Sequence, residues 1–547
     1  LDLEADLSVD SIKRTEIAGE LAARLSLPAG GDVDELSQAR TAAGITTLIF
    51  SGLNGVSETL AEAPSEKDTD QPVIVAPKRL VHQEFELANA EIATGELTGR
   101  RFLLIGGGEL APIMAAKLAA LGAETTTVPS TAVPVVGRID GAFHLGADKP
   151  VLPDVFPIYQ AVLAAGPRWL IAAGPADGLR GFFRTVSREY PEAIARVVEY
   201  DPDVDLQLAA DGLIAELSGV DREPVVLRSG NARRGLRLEE TGLGLLGSTG
   251  AGPAGDGAAE AAAIGLDRDS VVLLVGGAKG ITARFATALA AASRCRIELL
   301  GRTALPVGDE EPAVAAATST GELRAALIAG GMRVPAEIER VIGKIQSARE
   351  VRATISRLGG LGSRVRYHSV DMLDSEAVHR AVKEIHAEHG RIDGVVYAAG
   401  VIEDKLIAEK SLESFARVYT TKVDGAQALL DATDDLPAGP KFAVLFGSIA
   451  AALGNRGQID YASANDALEQ LGRRWSEVDG RRGLTVHWGP WAPTGANNGM
   501  VTPELMRSYA TRGIELIDPE EGTMSLLREL AWGRESDAAV VYSASGW

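Results

Sequence analysis

KFAVLFGSIAAALGNRGQIDYASANDALEQLGRRW, residues 441–475, decides how this chain folds. It opens on an unbroken apolar run, Phe442 to Phe446, the pattern of a strand buried on both faces. Ser448 stands at the exit of that strand, a small-residue loop follows, and an amphipathic helix then carries Tyr461 and Asn465 four positions apart, hence on one face. A hydroxyl at a strand end beside a phenol on the next helix is suited to holding a carbonyl oxygen and passing it a proton. A Tyr-x-x-x-Asn pair alone recurs by chance in many helices, so the surrounding residues carry the weight.

Upstream, SVVLLVGGAKGITARFATALAAA (270–292) runs from five apolar residues into Gly276, Gly277, Ala278, Lys279, Gly280, Ile281 and Thr282, then an alanine-rich helix. Glycine at such a turn lets the backbone approach a pyrophosphate, whose charge then lies at the positive end of the helix. The following strand, RIELLGRT (296–303), ends in Gly301 and Arg302. An acid about 20 residues on would hold a ribose 2′-hydroxyl, whereas arginine matches a 2′-phosphate. The expected cofactor is therefore NADPH, with Lys279 as a second cation; the plain alternative for Arg302 is a solvated surface charge. SRVRYHSVDML (363–373) places Asp371 to meet the adenine edge, and GVVYAAG (394–400) puts Ala398, Ala399 and Gly400 where small residues allow close approach. The helix in RVYTTKVDGAQALL (417–430) supplies Lys422, and a lysine near the tyrosine lowers the phenol's pKa by favouring phenolate. LTVHWGPWAPTGANNGM (484–500) reads as a last strand and a candidate lid.

The region before this looks like a degenerate copy. RFLLIGGGELAPIMAAKLAALGAETTTV (101–128) is again strand, glycine turn and helix, and GRIDGAFHLGADK (137–149) echoes GRIDGVVYAAGVIEDK (390–405). Its turn has Ala111 near the place of the last glycine and no Ser/Tyr/Asn set follows, so structural support is expected of it rather than a second active site. GLRGFFRTVSREYP (178–191) supplies a helix and PVVLRSGNARRGLRLE (224–239) supplies strands. The expected fold class is α/β with two Rossmann-like subdomains, a truncated structural half at 73–264 and a catalytic half with a parallel sheet at 265–547. Residues 54–72, acidic and polar, read as a linker, and the Gly/Ala/Pro-rich stretch 242–263 as an interdomain linker or surface loop.

With 547 residues, 46% of them apolar and 24% charged, the composition is that of a soluble multidomain protein. A net charge of −21 argues against nucleic acid or an anionic membrane as partner. No apolar run approaches the ~18 residues of a membrane span, and a cytoplasmic location is expected. The single cysteine, Cys295, excludes an internal disulfide and reads as a small buried hydrophobe; no Cys/His cluster suggests a metal. The chain opens on Leu1 rather than Met and reads as a piece of something longer.

LDLEADLSVDSIKRTEIAGELAARLSL (1–27) sets Ile12, Ile17, Leu21 and Leu25 on a near-helical period, with Asp10 and Ser11 ahead of it as a plain N-cap pair. The stretch resembles the prosthetic-group helix of acyl carrier domains, and Asp-Ser-Ile-Lys-Arg those of polyunsaturated fatty acid synthases and iterative polyketide synthases. The resemblance implies 4′-phosphopantetheine on Ser11, in a partial helical carrier domain over 1–53 that lacks the preceding helix and loop. Residues 73–547 resemble the ketoreductase domain of type I polyketide and polyunsaturated fatty acid synthases, a relative of short-chain dehydrogenases/reductases. The family's lysine, serine, tyrosine and asparagine fall on Lys422, Ser448, Tyr461 and Asn465. Lysine and asparagine have exchanged places relative to free-standing short-chain reductases, as in megasynthase ketoreductases. The insert 304–346 again looks like the polyunsaturated fatty acid branch.

The resemblance implies that a 3-oxoacyl chain on a carrier domain is reduced by NADPH, with Ser448 and Tyr461 on the keto oxygen and Tyr461 giving a proton replenished through the ribose and Lys422. Ile402-Glu403-Asp404 and Leu453, eight before Tyr461, point to a 3R product. The implied partners are the acyl carrier domain and other domains of the same megasynthase. The rival readings are a catalytically silent scaffold and an acyl carrier module.

Overall fold

The computed structural model describes residues 72–545 apart from 90–91, 93–94, 132, 135–136, 147–151, 175–176, 202, 220, 244–255, 307, 309, 479 and 494–502. The chain divides at Asp70, and Asp70–Trp547 forms one compact unit. The expected carrier segment with Ser11, and nearly all of the linker, lie outside the described residues.

The first half contributes β1 (Ile74–Val75), β2 (Lys78–Glu86), β3 (Arg101–Ile105), β4 (Glu124–Val128), β5 (Gly141–His144), β6 (Trp169–Ala173), β7 (Ile194–Tyr200), β8 (Val225–Ser229) and β9 (Ala232–Glu240). The second contributes β10 (Val271–Val275), β11 (Arg296–Gly301), β12 (Val365–Ser369), β13 (Gly394–Tyr397), β14 (Phe442–Ser448), β15 (Arg482–Trp488), β16 (Leu516–Ile517) and β17 (Ala539–Ser543). All but β1 and β16 join one sheet of fifteen strands, in the order β12-β11-β10-β13-β14-β15-β17-β2-β9-β8-β7-β6-β5-β3-β4. The segment from β12 to β17 is parallel throughout, in the doubly wound order. Its order reverses between β10 and β13, where ligands bind at the carboxyl ends of the strands.

The strands obey their sequence. β10 is five consecutive buried residues, VVLLV, because helices cover both faces of a parallel sheet. At Gly394 in β13 a Cβ would stand 2.0 Å from the Phe442 ring, so the bulk of Phe442 is accommodated by its neighbour's missing side chain. Cys295 is fully buried in the core beside this sheet, and burial pushes its thiol up to about 11. The first half has its own parallel block from β4 to β8, and the antiparallel strands β9 and β2 connect it to β17. The two halves thus share one sheet.

Three sequence expectations are corrected. The strand at 484–488 is not the last: β17 pairs in parallel beside it, and the candidate lid lies partly at 494–502, outside the described residues. The small-residue loop after Ser448 contains a helix, Ile449–Leu453, because three alanines and a serine N-cap favour one. The Gly/Ala/Pro stretch ends in the helix Ala258–Ala263, which buries Glu260 near Arg528 and packs on the helices of the second half. The insert 304–346 forms helices Pro312–Ala316 and Thr320–Ala329 and the start of Pro335–Gly360, around a small core of Val314, Leu323, Ile338 and Ile342. Among the described residues, no helix is long and apolar enough to cross a membrane.

Candidate active site

Ser448 is the last residue of β14, and its Oγ accepts a hydrogen bond from the Ala450 amide at 3.3 Å, starting the short helix. Tyr461 is the third residue of the helix Ile459–Trp475 and is 9% exposed. Its side chain packs with Val418, Ala450 and Ala462, and the Ser448 side chain is near enough to act on its phenol. Lys422, on the helix Leu412–Asp434, donates from Nζ to the Phe446 carbonyl at 2.9 Å and lies 5.7 Å from the centre of the Tyr461 ring. Gly400 makes room for it: a Cβ there would stand 3.3 Å from Nζ. Asn465 is fully buried; its Nδ2 donates to the Tyr461 carbonyl at 2.6 Å, and its Oδ1 has no partner among the described residues.

The lowered tyrosine pKa expected from Lys422 does not appear. Burial raises the Tyr461 phenol above its usual value, against the opposing hydrogen bonds of Ser448 and Asn465. The physical reason is that the ammonium is turned to a backbone carbonyl while the phenol is cut off from water. Burial likewise brings Lys422 down to about 8. A protonated phenol is the form that donates, so the arrangement remains that of a general acid.

A cavity of about 570 Å³ brings Lys422, Ser448 and Tyr461 together with the glycine turn, since Gly276, Lys279, Gly280 and Ile281 share its lining with them. Gly276 has φ +76°, and a Cβ on it would approach the Ala398 carbonyl carbon to 3.4 Å. Gly280 begins the helix Gly280–Ser293, and its amide donates to the Glu350 carboxylate at 3.2 Å, so this helix start already receives an anion. Lys279 reaches the Thr303 hydroxyl at 3.1 Å and senses the charge of Arg302, which is exposed at the end of β11. This cradle and its two cations fit a dinucleotide bearing an additional phosphate. Ala398 and Gly400 line the cavity, whereas Gly277, Arg302, Asp371, Ala399 and Asn465 are not in its wall. Gly277 packs instead on Leu274, and Asp371, exposed, accepts from the Leu373 amide at 3.2 Å.

One contribution escaped sequence reasoning. The helix Leu179–Glu189 of the first half grips the segment between Ser448 and Tyr461. Arg184 donates to the Ala451 carbonyl at 2.8 Å and Arg188 to that of Leu453 at 2.7 Å. Glu189 accepts from the Gly457 and Ile407 amides, both at 2.8 Å. Contact is close because Gly181 has no side chain: a Cβ would stand 2.4 Å from the Ala462 carbonyl oxygen. Two glycines three apart, at 178 and 181, were the available signal. One turn along the tyrosine helix, burial raises Asp466 to about 7 although Arg180 opposes it.

The doubly wound parallel sheet thus carries a glycine turn and a Lys/Ser/Tyr set at the carboxyl ends of its strands. Residues 270–493 match the family model of the KR domain. A polyunsaturated fatty acid synthase chain from a Thraustochytrium species is 36% identical over 276 residues, 48% of this chain and 10% of its own. Polyketide synthase ThaG of Burkholderia thailandensis is 28% identical over 417 residues, 72% of this chain and 6% of its own. This chain therefore spans a tenth or less of these relatives. A solved N-terminal ketoreductase from the macrolactin assembly line has a TM-score of 0.61 at 17% identity, covering 86% of this chain and 92% of its own, a likeness of fold.

Proposed function

We propose that residues 73–547 carry out NADPH-dependent reduction of a 3-oxoacyl thioester, borne on the 4′-phosphopantetheine of an acyl carrier domain, to the 3-hydroxyacyl thioester within a polyketide or polyunsaturated fatty acid synthase. The observation that carries this reading is the convergence of Lys422, Ser448 and Tyr461 with the glycine turn in one cavity. NADPH, when bound, supplies the hydride. Ser448 Oγ and the Tyr461 hydroxyl hold the keto oxygen, donors whose value rises as that oxygen gains negative charge. Tyr461 delivers the proton, and the Lys422 charge steadies the phenolate left behind. Asn465 fixes the first turn of the tyrosine helix through its bond to the Tyr461 carbonyl. Ile402 and Leu453 line the cavity, and the resemblance at Ile402-Glu403-Asp404 and Leu453 favours a 3R product. By sequence, Ser11 is the attachment position for the arm, and other domains of the same synthase are partners.

The test follows NADPH oxidation with a 3-oxoacyl thioester surrogate: turnover by wild type with NADPH preferred over NADH supports the reading, and failure to bind NADPH removes it. Arg302→Ala is expected to cut the NADPH-over-NADH preference in kcat/KM by about tenfold or more, the scale of one charge-assisted phosphate contact; an unchanged preference would refute the 2′-phosphate role.

A pH profile separates the two titrating groups. Lys422 keeps its charge below about 8, and the Tyr461 phenol, raised by burial, stays protonated well beyond that. The reduction rate is therefore expected to fall as pH rises through about 8, and Lys422→Arg, which cannot lose its charge in that range, to push this limb upward. The same limb in both proteins would assign it elsewhere.

A further inference from the structure

The chain carries 75 acidic and 54 basic residues, yet the described lining of the catalytic cavity contains Arg188, Lys279, Lys422 and Arg512 and no aspartate or glutamate. Such a lining, in a chain of net charge −21, marks a site for anions. Two of these cations already have work: Lys279 stands at the glycine turn, and Lys422 is buried against the Phe446 carbonyl. Arg188 and Arg512 remain. They come from distant parts of the chain, Arg188 from the helix Leu179–Glu189 of the first half and Arg512 just beyond the helix Pro503–Thr511, and both line the cavity. Arg188 spends Nε on the Leu453 carbonyl, leaving the outer nitrogens of its guanidinium, and neither arginine has a carboxylate within ion-pair distance among the described residues. Burial depresses the pKa of Arg188, and the charge of Arg512 is near enough to lower it further. Two guanidinium groups that line one cavity and repel each other gain from a phosphate held by both, which each can grip with paired donors.

We propose that Arg188 and Arg512 form a phosphate site at the substrate end of the cavity, which takes the phosphodiester of the pantetheine arm that carries the acyl group. The proposal rests on the reductase reading given above and extends it: the first half, through Arg188, contributes to substrate recognition. The acyl chain lies toward Tyr461 and the phosphate toward the two arginines.

The experiment uses the full chain and one 3-oxoacyl group presented as its pantetheine, 4′-phosphopantetheine and coenzyme A thioesters. Wild type is expected to show a KM about tenfold lower for the phosphopantetheine than for the pantetheine thioester. In Arg512→Ala this ratio falls toward one, in Arg512→Glu it inverts, and in Arg512→Lys most of it survives. A wild-type ratio of one, or a ratio undiminished in Arg512→Glu, overturns the site. A coenzyme A thioester that outperforms phosphopantetheine tenfold overturns the assignment to the arm, since the nucleotide phosphates would then be what is read. Quenching of Trp488 and Trp491, which line the cavity, gives the same comparison for free phosphopantetheine against pantetheine without turnover. Absence of turnover with every thioester defeats the reductase reading, while the binding ratio still decides the phosphate site.

Discussion

Replacing Tyr461 with phenylalanine is expected to lower kcat by about a thousandfold while leaving NADPH affinity and the melting temperature close to wild type. The ring fills the small cluster with Val418, Ala450 and Ala462, and phenylalanine fills it equally well. What disappears is one hydroxyl, the group proposed as both proton donor and hydrogen-bond donor to the developing alkoxide. Both roles belong to the transition state, so the loss falls on kcat and kcat/KM together and KM moves little. Single-turnover NADPH oxidation by the variant checks this. A variant retaining a tenth of wild-type kcat would show that the proton comes from elsewhere and would remove Tyr461 from the role proposed for it.

The second large effect is expected at Gly454, where the active-site segment touches the first half. This residue ends the short helix after Ser448 with φ 67° and ψ 155°, a conformation open in practice to glycine alone. A Cβ would also stand 2.4 Å from the carbonyl carbon of Arg184 and 2.7 Å from the Thr185 amide nitrogen, both backbone atoms of a packed helix. Conformational strain of ~1–3 kcal/mol and overpacking of ~1–3 kcal/mol put the cost of Gly454→Ala at roughly 2–6 kcal/mol. Gly390→Ala is the control: its φ is also positive, at +71°, but a Cβ there meets nothing within 4 Å, so only the conformational cost applies. Denaturant melts of the two variants should separate clearly, with Gly454→Ala the less stable. The fraction that stays folded should turn over slowly, because Gly454 lies between Ser448 and Tyr461 and its displacement changes their separation. Equal melts would mean that the first half yields at this contact.

The grip of Leu179–Glu189 on residues 451–457 gives the first half a physical role in the site. Arg184, Arg188 and Glu189 bind backbone groups that connect the two catalytic hydroxyls, and Glu189 also holds the Ile407 amide beyond the loop that carries Ile402. Arg184 and Glu189 are positioning residues, since they touch neither hydroxyl, and Arg188 combines this role with the phosphate contact proposed for it. Their effect passes through a segment of backbone whose own sequence is small and weakly self-ordering.

Where a feature depended on a residue's own neighbours in sequence, the chain by itself determined it. The five apolar residues of β10, the glycines that follow, Ser448 at a strand end, and Tyr461 and Asn465 one turn apart are all local patterns, and they fixed the α/β class and, among the residues around the cavity, Gly276, Gly280, Ser448 and Tyr461. The tertiary structure alone decided what depends on surroundings. Burial set the direction of the Tyr461 shift, because a phenol's pKa answers to dielectric and to where Lys422 points rather than to the spacing between them. Strand β17, arriving after the expected last strand, pairs with β2 and makes one sheet of two halves, a long-range pairing that no local periodicity encodes. Arg188 and Arg512, 324 positions apart, line a common cavity for the same reason: side chains from distant segments are gathered by packing, and sequence records each of them only as another charged residue.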